Sequence, residues 1–242
     1  MQKSLPPNRL WDFTSIPFEL FILTFSLVPI LFLMYFYPAL PERIPVFLNL
    51  KGEVVGWAEK SWLSVLRVPL MALDTQLICL LMKYGTVQSV STSSKEISQA
   101  QSNFEKQFAS LNARLWDWFR ALVAFKMSAS SLDTIFLSLD KFRFLSRPAF
   151  LVTAVAALLS IPGVLFFGYR ILVLTRNYKQ STGTTPIRTP IDPEHVYGRI
   201  LYVHPADPAL FVRKYGFNFG NKWAWIFVAG MLAYPVLVFS VE

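Results

Sequence analysis

Four long apolar runs alternate with polar stretches along the chain: Pro17–Tyr37, Ser61–Met82, Phe150–Thr175 and Trp223–Ser240. Each is close to the roughly 20 residues a helix needs to cross a hydrocarbon core about 30 Å thick. Pro29, Pro69, Pro162 and Pro235 lie inside them. In an exposed soluble helix each would be damaging, whereas in a membrane neighbouring groups can satisfy the freed carbonyls. The pattern predicts an all-α integral membrane protein. Its expected form is a bundle of about five transmembrane helices with a short structured outer loop and a long cytoplasmic loop.

The fifth helix rests on a weaker run, Ala121–Leu139, which carries Lys126 and Asp133. It could be a span, or an amphipathic helix lying on the membrane or capping the bundle. Charge bias favours the span. With five spans, one side of the membrane holds Lys3, Arg9, Lys83, Lys95, Lys106, Arg114, Arg176, Lys179, Arg188, Arg199, Arg213, Lys214 and Lys222, against Arg43, Lys51, Lys60, Lys141, Arg143 and Arg147 on the other. With four spans the asymmetry nearly vanishes. Positive charge favours the cytoplasm, so the N-terminus is expected inside and the C-terminus outside, in a bacterial cytoplasmic (inner) membrane.

The expected organisation runs from a cytoplasmic tail (1–16) to a first helical hairpin (17–83) whose loop spans 38–61. A polar loop and helix (84–112) follow, with Ser94 as a plausible N-cap. Next come a second helical hairpin (113–175), a Pro/Thr/Gly-rich linker with an interfacial motif (176–222) and a last transmembrane helix (223–242). The first run starts too late and is too long for a cleaved signal peptide, and reads as a signal anchor.

Composition agrees with a membrane protein. The 242 residues are 54% hydrophobic and 16% charged, where a soluble domain carries about 25% charged residues. The seven tryptophans fall at or just outside the expected span ends, where indoles prefer the headgroup region. The formal charge of +8 suits loops facing anionic lipid. It is too scattered for a nucleic-acid groove, so the expected partners are the lipid bilayer and other membrane protein subunits, with no nucleic acid.

Catalytic chemistry is scarce. His195 and His204 are the only histidines, Cys79 is the only cysteine, and they form no metal-ligand pattern. No serine sits in a recognisable elbow or triad motif, and no glycine pattern would cradle a phosphate. No catalytic, cofactor or metal residues are assigned, no cofactor is expected, and the chain is read as not an enzyme.

The charges inside the runs suggest packing. Arg67 and Asp74 are seven apart, as are Lys126 and Asp133, so each pair shares one helix face. Counted from the outer ends of antiparallel spans, Arg67 lies ~9 Å deep and Asp133 ~10 Å, while Asp74 lies ~20 Å deep and Lys126 ~21 Å. Lone charges at such depth cost roughly 2.5–3.5 kcal/mol or more. Two cross-helix ion pairs are therefore expected, Arg67 with Asp133 and Asp74 with Lys126. A proton or ion relay is the functional alternative, although nothing else polar continues its path.

The loop "LPERIPVFLNLKGEVVGWAEKS" resembles the signature loop of the bacterial sporulation-delay immunity proteins (SdpI-like membrane proteins), whose N-terminal module is a domain of unknown function. Leu40, Pro41, Ile44, Pro45, Asn49, Gly52, Gly56, Trp57 and Lys60 match the family pattern. The chain departs from it at Phe47, where the family has His, and at Val55, where it usually has Asp. Pro41 and Pro45 restrict the loop's entry, and Gly52 and Gly56 permit unusual turns, so a hairpin-like lid over the bundle is expected. A tight connector without a ligand is the simpler reading. Phe47 reads as an apolar contact, into the bundle or another protein.

A second resemblance covers Tyr197–Trp225, which is similar to another small bacterial domain of unknown function often found beside the first. Gly198, Tyr202, Pro205, Asp207, Pro208, Phe211, Val212, Lys214, Asn218, Phe219, Gly220 and Asn221 fit, and His204 replaces the usual Asn. This motif is expected to lie flat at the membrane surface, with Phe211, Phe217 and Phe219 dipping inward and Arg213, Lys214 and Lys222 meeting headgroups.

Together the resemblances imply a multi-span bacterial membrane protein linked to toxin immunity and signalling, without an established enzymatic role. With the loop's polar pair lost, the expected function is that of an accessory or structural subunit of a larger membrane complex, acting by protein contact in the bilayer. A free-standing immunity or signalling protein is the alternative, and a small transporter follows.

Overall fold

A computed structural model describes residues 13–49, 53–91, 99–183, 194, 196–197, 201–203, 211–212 and 216–239. The helices are α1 (Ile16–Phe36), α2 (Trp62–Ser91), α3 (Gln99–Ser138), α4 (Ser146–Thr182) and α5 (Lys222–Phe239). Between α1 and α2 stands an antiparallel β-hairpin, β1 (Arg43–Leu48) with β2 (Val54–Glu59). Short ladders pair β3 (Val196–Tyr197) with β4 (Leu201–Tyr202), and β5 (Phe211–Val212) with β6 (Gly216–Phe217). The segment before α5, expected from the sequence to be an interfacial motif, holds local strand pairing.

Among the described residues, α1 to α4 are long and apolar enough to cross a membrane, and α5 is apolar over a shorter stretch, Lys222–Ala233. The chain is an all-α membrane protein with small sheets. The weak run Ala121–Leu139 is the second half of α3. That helix has 40 residues and so is about 60 Å long, twice the hydrocarbon thickness. The expected polar helix and third span are one continuous helix, and Trp116 and Trp118 stand inside it rather than at its end.

The chain divides into two compact units. The first comprises Ile16–Leu77, Phe119–Ile161 and Gly230–Glu242. Its core gathers Leu33 of α1, Leu40, Ile44 of β1, Val65 of α2 and Ile135 of α3. Pro29 cannot donate to the carbonyl four residues before it, and the Ser128 hydroxyl of α3 donates to that Phe25 carbonyl instead. Ser61 caps α2: its Oγ accepts from the Ser64 amide at 3.0 Å while the Ser61 amide donates to Ser64 Oγ at 2.9 Å, a reciprocal capping box.

The second unit comprises Met1–Ser15, Ile78–Trp118 and Pro162–Ala229. Lys83 of α2, with no exposed surface, pairs with Asp117 of α3 at 2.8 Å. The Tyr178 hydroxyl of α4 donates to Gln101 Oε1 of α3 at 2.7 Å. Leu81 packs with Ala224 and Phe227 of α5. Helix α4 ends at Gly183, whose φ of 70° lets its amide close back on the Lys179 carbonyl at 2.9 Å.

Candidate functional site: a cavity beneath the β-hairpin

The hairpin is fastened at its base. Lys60 Nζ donates to the Leu40 carbonyl at 2.8 Å, and the Lys60 amide donates to the Glu42 carbonyl at 2.6 Å. Tyr37 and Trp62 stack at 3.7 Å between centroids, and the Lys60 ammonium lies 5.0 Å from the Tyr37 ring centre. Farther out, Asn49 Nδ2 donates to Glu53 Oε2 at 2.7 Å and the Glu53 amide donates to Asn49 Oδ1 at 3.0 Å. The expected hairpin is thus present. Pro41 is exposed before β1, and Pro45 is buried opposite Trp57. Gly52 lies outside the described residues.

The strand register shifts on both sides of Phe47, and Val46 has no partner on β2. Such a bulge frees backbone groups and re-aims side chains. Here the Val46 carbonyl accepts from Arg67 Nη2 at 3.0 Å. The Arg67 guanidinium also sits 4.7 Å from the Phe47 ring centre, within cation–π range. A Cβ on Gly56 would come within 2.6 Å of Phe47 Cδ2, so glycine there makes room for the ring.

Hairpin, α2, α3 and α4 together line a half-open cavity of about 300 Å³. Its walls include Pro45, Val46, Phe47 and Asn49 from the hairpin segment, and Ser64, Arg67 and Val68 from α2. Helix α3 adds Ser130, Asp133, Thr134 and Leu137, and α4 adds Thr153. Arg67 is 4% exposed and Asp133 6%. Arg67 Nη1 and Asp133 Oδ1 are buried without a hydrogen-bond partner among the described residues.

The expected ion pairs are corrected accordingly. Arg67 and Asp133 reach the same cavity but form no ion pair among the described residues, because Val46 and Phe47 hold the guanidinium toward the hairpin. Asp74 and Lys126 do not pair among the described residues either: Lys126 is exposed, and Asp74 Oδ2 is buried without a partner there. Among the described residues, other ion pairs are seen. Arg120 of α3 grips Glu19 of α1 with two bonds, at 2.8 and 2.6 Å, and its carbonyl accepts from Gln76 of α2 at 2.8 Å. Lys83 with Asp117 is the second. The sequence argument passed over both because it weighed the charges near the middle of the apolar runs. A further signal was present in "SASSLDT", where hydroxyl side chains surround Asp133 within an apolar run.

At the second motif, Asp207 and Lys214 lie outside the described residues, and Phe211 is described only as backbone in β5. Asn218 is wholly buried, and its Oδ1 accepts from the Gly220 amide at 3.0 Å. Asn221 caps α5, its Oδ1 accepting from the Trp223 amide at 3.0 Å. Phe219 packs edge-on to Trp225, whose Nε1 donates to the Phe219 carbonyl at 3.0 Å. Asn218, Phe219 and Asn221 therefore build a helix start.

A family model described as a domain of unknown function (DUF1648) matches residues 24–73. The match takes in most of α1, the hairpin and the part of α2 that carries Arg67. No curated protein and no solved structure matches the chain.

Proposed function

We propose that the chain is a non-enzymatic, multi-pass membrane protein that acts through contact with another membrane protein, as an accessory subunit of a larger complex in a bacterial cytoplasmic membrane. The observation that supports this is the exposed apolar face of β2, where Val55 is 63% and Trp57 58% exposed. Apolar side chains presented on a fastened scaffold are a usual mark of an interaction surface. Photo-crosslinking from position 55 in native membranes, followed by purification in mild detergent, tests it. A stoichiometric crosslinked protein partner is the expected result, and a stable lone monomer overturns it.

The second reading is a free-standing immunity or signalling protein of the SdpI-like family. The domain match over residues 24–73 and the family-like loop support it. The replacement of the loop's polar residues by Phe47 and Val55 favours the subunit. The resemblance around Asn218–Asn221 to a second family domain belongs to the same reading.

A further inference from the structure

The geometry points to the cavity beneath the hairpin as a binding site for a small zwitterion, a free aliphatic α-amino acid. Two residues of opposite charge, Arg67 and Asp133, line one small space. Arg67 Nη1 is a buried donor and Asp133 Oδ1 a buried acceptor, and neither finds a partner among the described residues. Leaving such groups unmatched is costly, so a ligand that satisfies both gains from each. A simple anion would engage Arg67 and leave Asp133 unsatisfied, and a simple cation would do the reverse. One molecule carrying both a carboxylate and an ammonium suits both. The carboxylate would go to Arg67 Nη1 and the ammonium to Asp133 Oδ1.

Size narrows the class further. About 300 Å³ is at the small end of ligand sites. A longer peptide carries its two charged ends too far apart to serve both groups within that space. The remaining walls divide by chemistry: Ser130 and Thr134 offer hydroxyls beside Asp133, while Val46, Val68 and Leu137 offer apolar surface for a side chain. The placing of Arg67 is itself built, since the bulge carbonyl of Val46 holds Nη2 and the ring of Phe47 lies by the guanidinium, while Nη1 has no partner among the described residues. The site needs no second protein.

Equilibrium binding of radiolabelled L-leucine to the purified full-length protein in nanodiscs tests the assignment. Competitors are glycine, N-acetyl-L-leucine, which lacks the ammonium, and L-leucinamide, which lacks the carboxylate. Saturable binding is expected, with each capped analogue at least about tenfold weaker, because a site of buried polar groups rejects a ligand lacking one partner. Glycine should also be weaker, having no side chain for the apolar wall. Arg67→Gln and Asp133→Asn should each abolish binding in protein that elutes as the wild type does. Should either variant fail to fold, the wild-type competition series decides alone. Absence of saturable L-leucine binding to folded wild-type protein overturns the proposal, as does equal competition by the N-acetyl and amide analogues.

Discussion

Lys83 shows how a charge is kept inside a helical bundle. Its ammonium is fully buried, and Asp117 receives it through both carboxylate oxygens at 2.8 and 2.9 Å. Removing one member of such a pair leaves the other buried and uncompensated, at about 3–5 kcal/mol, whereas replacing both with apolar residues is often neutral. Lys83→Met should therefore lower the thermal midpoint in detergent markedly, and Lys83→Met with Asp117→Leu should restore most of it. A double variant as unstable as the single would show that the pair is not the unit. Gly56 makes a similar point through space rather than charge. A methyl there meets the Phe47 ring at 2.6 Å and Phe47 Cβ at 3.1 Å, so rotating the ring tip alone gives no relief. Gly56→Ala should destabilise by about 1–3 kcal/mol and displace Phe47 from Arg67. Unfolding midpoints of the two proteins check the first effect, and an unchanged midpoint would show that the hairpin shifts freely.

At the scale of elements, helix contacts depend on single small or hydroxyl residues. Ser128 of α3 supplies the donor that Pro29 withholds from Phe25 in α1. Ser128→Ala should cost about 0.6 kcal/mol, and up to about 1.7, the range of hydrogen bonds between membrane helices. It should cost less in a Pro29→Ala background, where the proline amide is regained; a thermodynamic cycle reads the difference, and equal costs in both backgrounds would refute the link. Gly163 of α4 lies so close to α3 that an added Cβ would fall 2.0 Å from Trp118 Nε1. Small residues let membrane helices approach in this way. The helices themselves were legible as apolar runs of spanning length, and the hairpin from Pro45, Gly56 and the resemblance around them. The 40-residue α3 was legible only in its parts: a polar helix running toward Trp116 and a separate span from Ala121 were expected, whereas one helix runs from Gln99 to Ser138. Arg67 and Asp133 line one cavity but do not pair among the described residues. Arg67 instead found a bulge carbonyl, and strand bulges leave no mark in a hydrophobic pattern.

For the whole molecule, the open question is which segments share a side of the membrane. If α2 and α3 both cross, the hairpin and the 3₁₀ turn Asp140–Leu145 must emerge on the same face, and Gln99 at the start of α3 on the opposite one. The distribution of Lys and Arg over short loops is the ground for expecting the hairpin face outside. Cys79 is the only cysteine and is buried, so Cys79→Ala gives a background free of thiols. Val55, Lys141 and Gln99 are exposed positions for single cysteines in that background. In intact cells a membrane-impermeant maleimide should label Val55→Cys and Lys141→Cys, and should label Gln99→Cys only after permeabilisation. Labelling of Val55→Cys and Lys141→Cys from opposite sides would mean that α3 does not cross. Labelling of both only after permeabilisation would invert the whole protein while keeping α3 as a span. The two outcomes separate the helix assignment, which rests on length and hydropathy, from the orientation, which rests on charge bias alone.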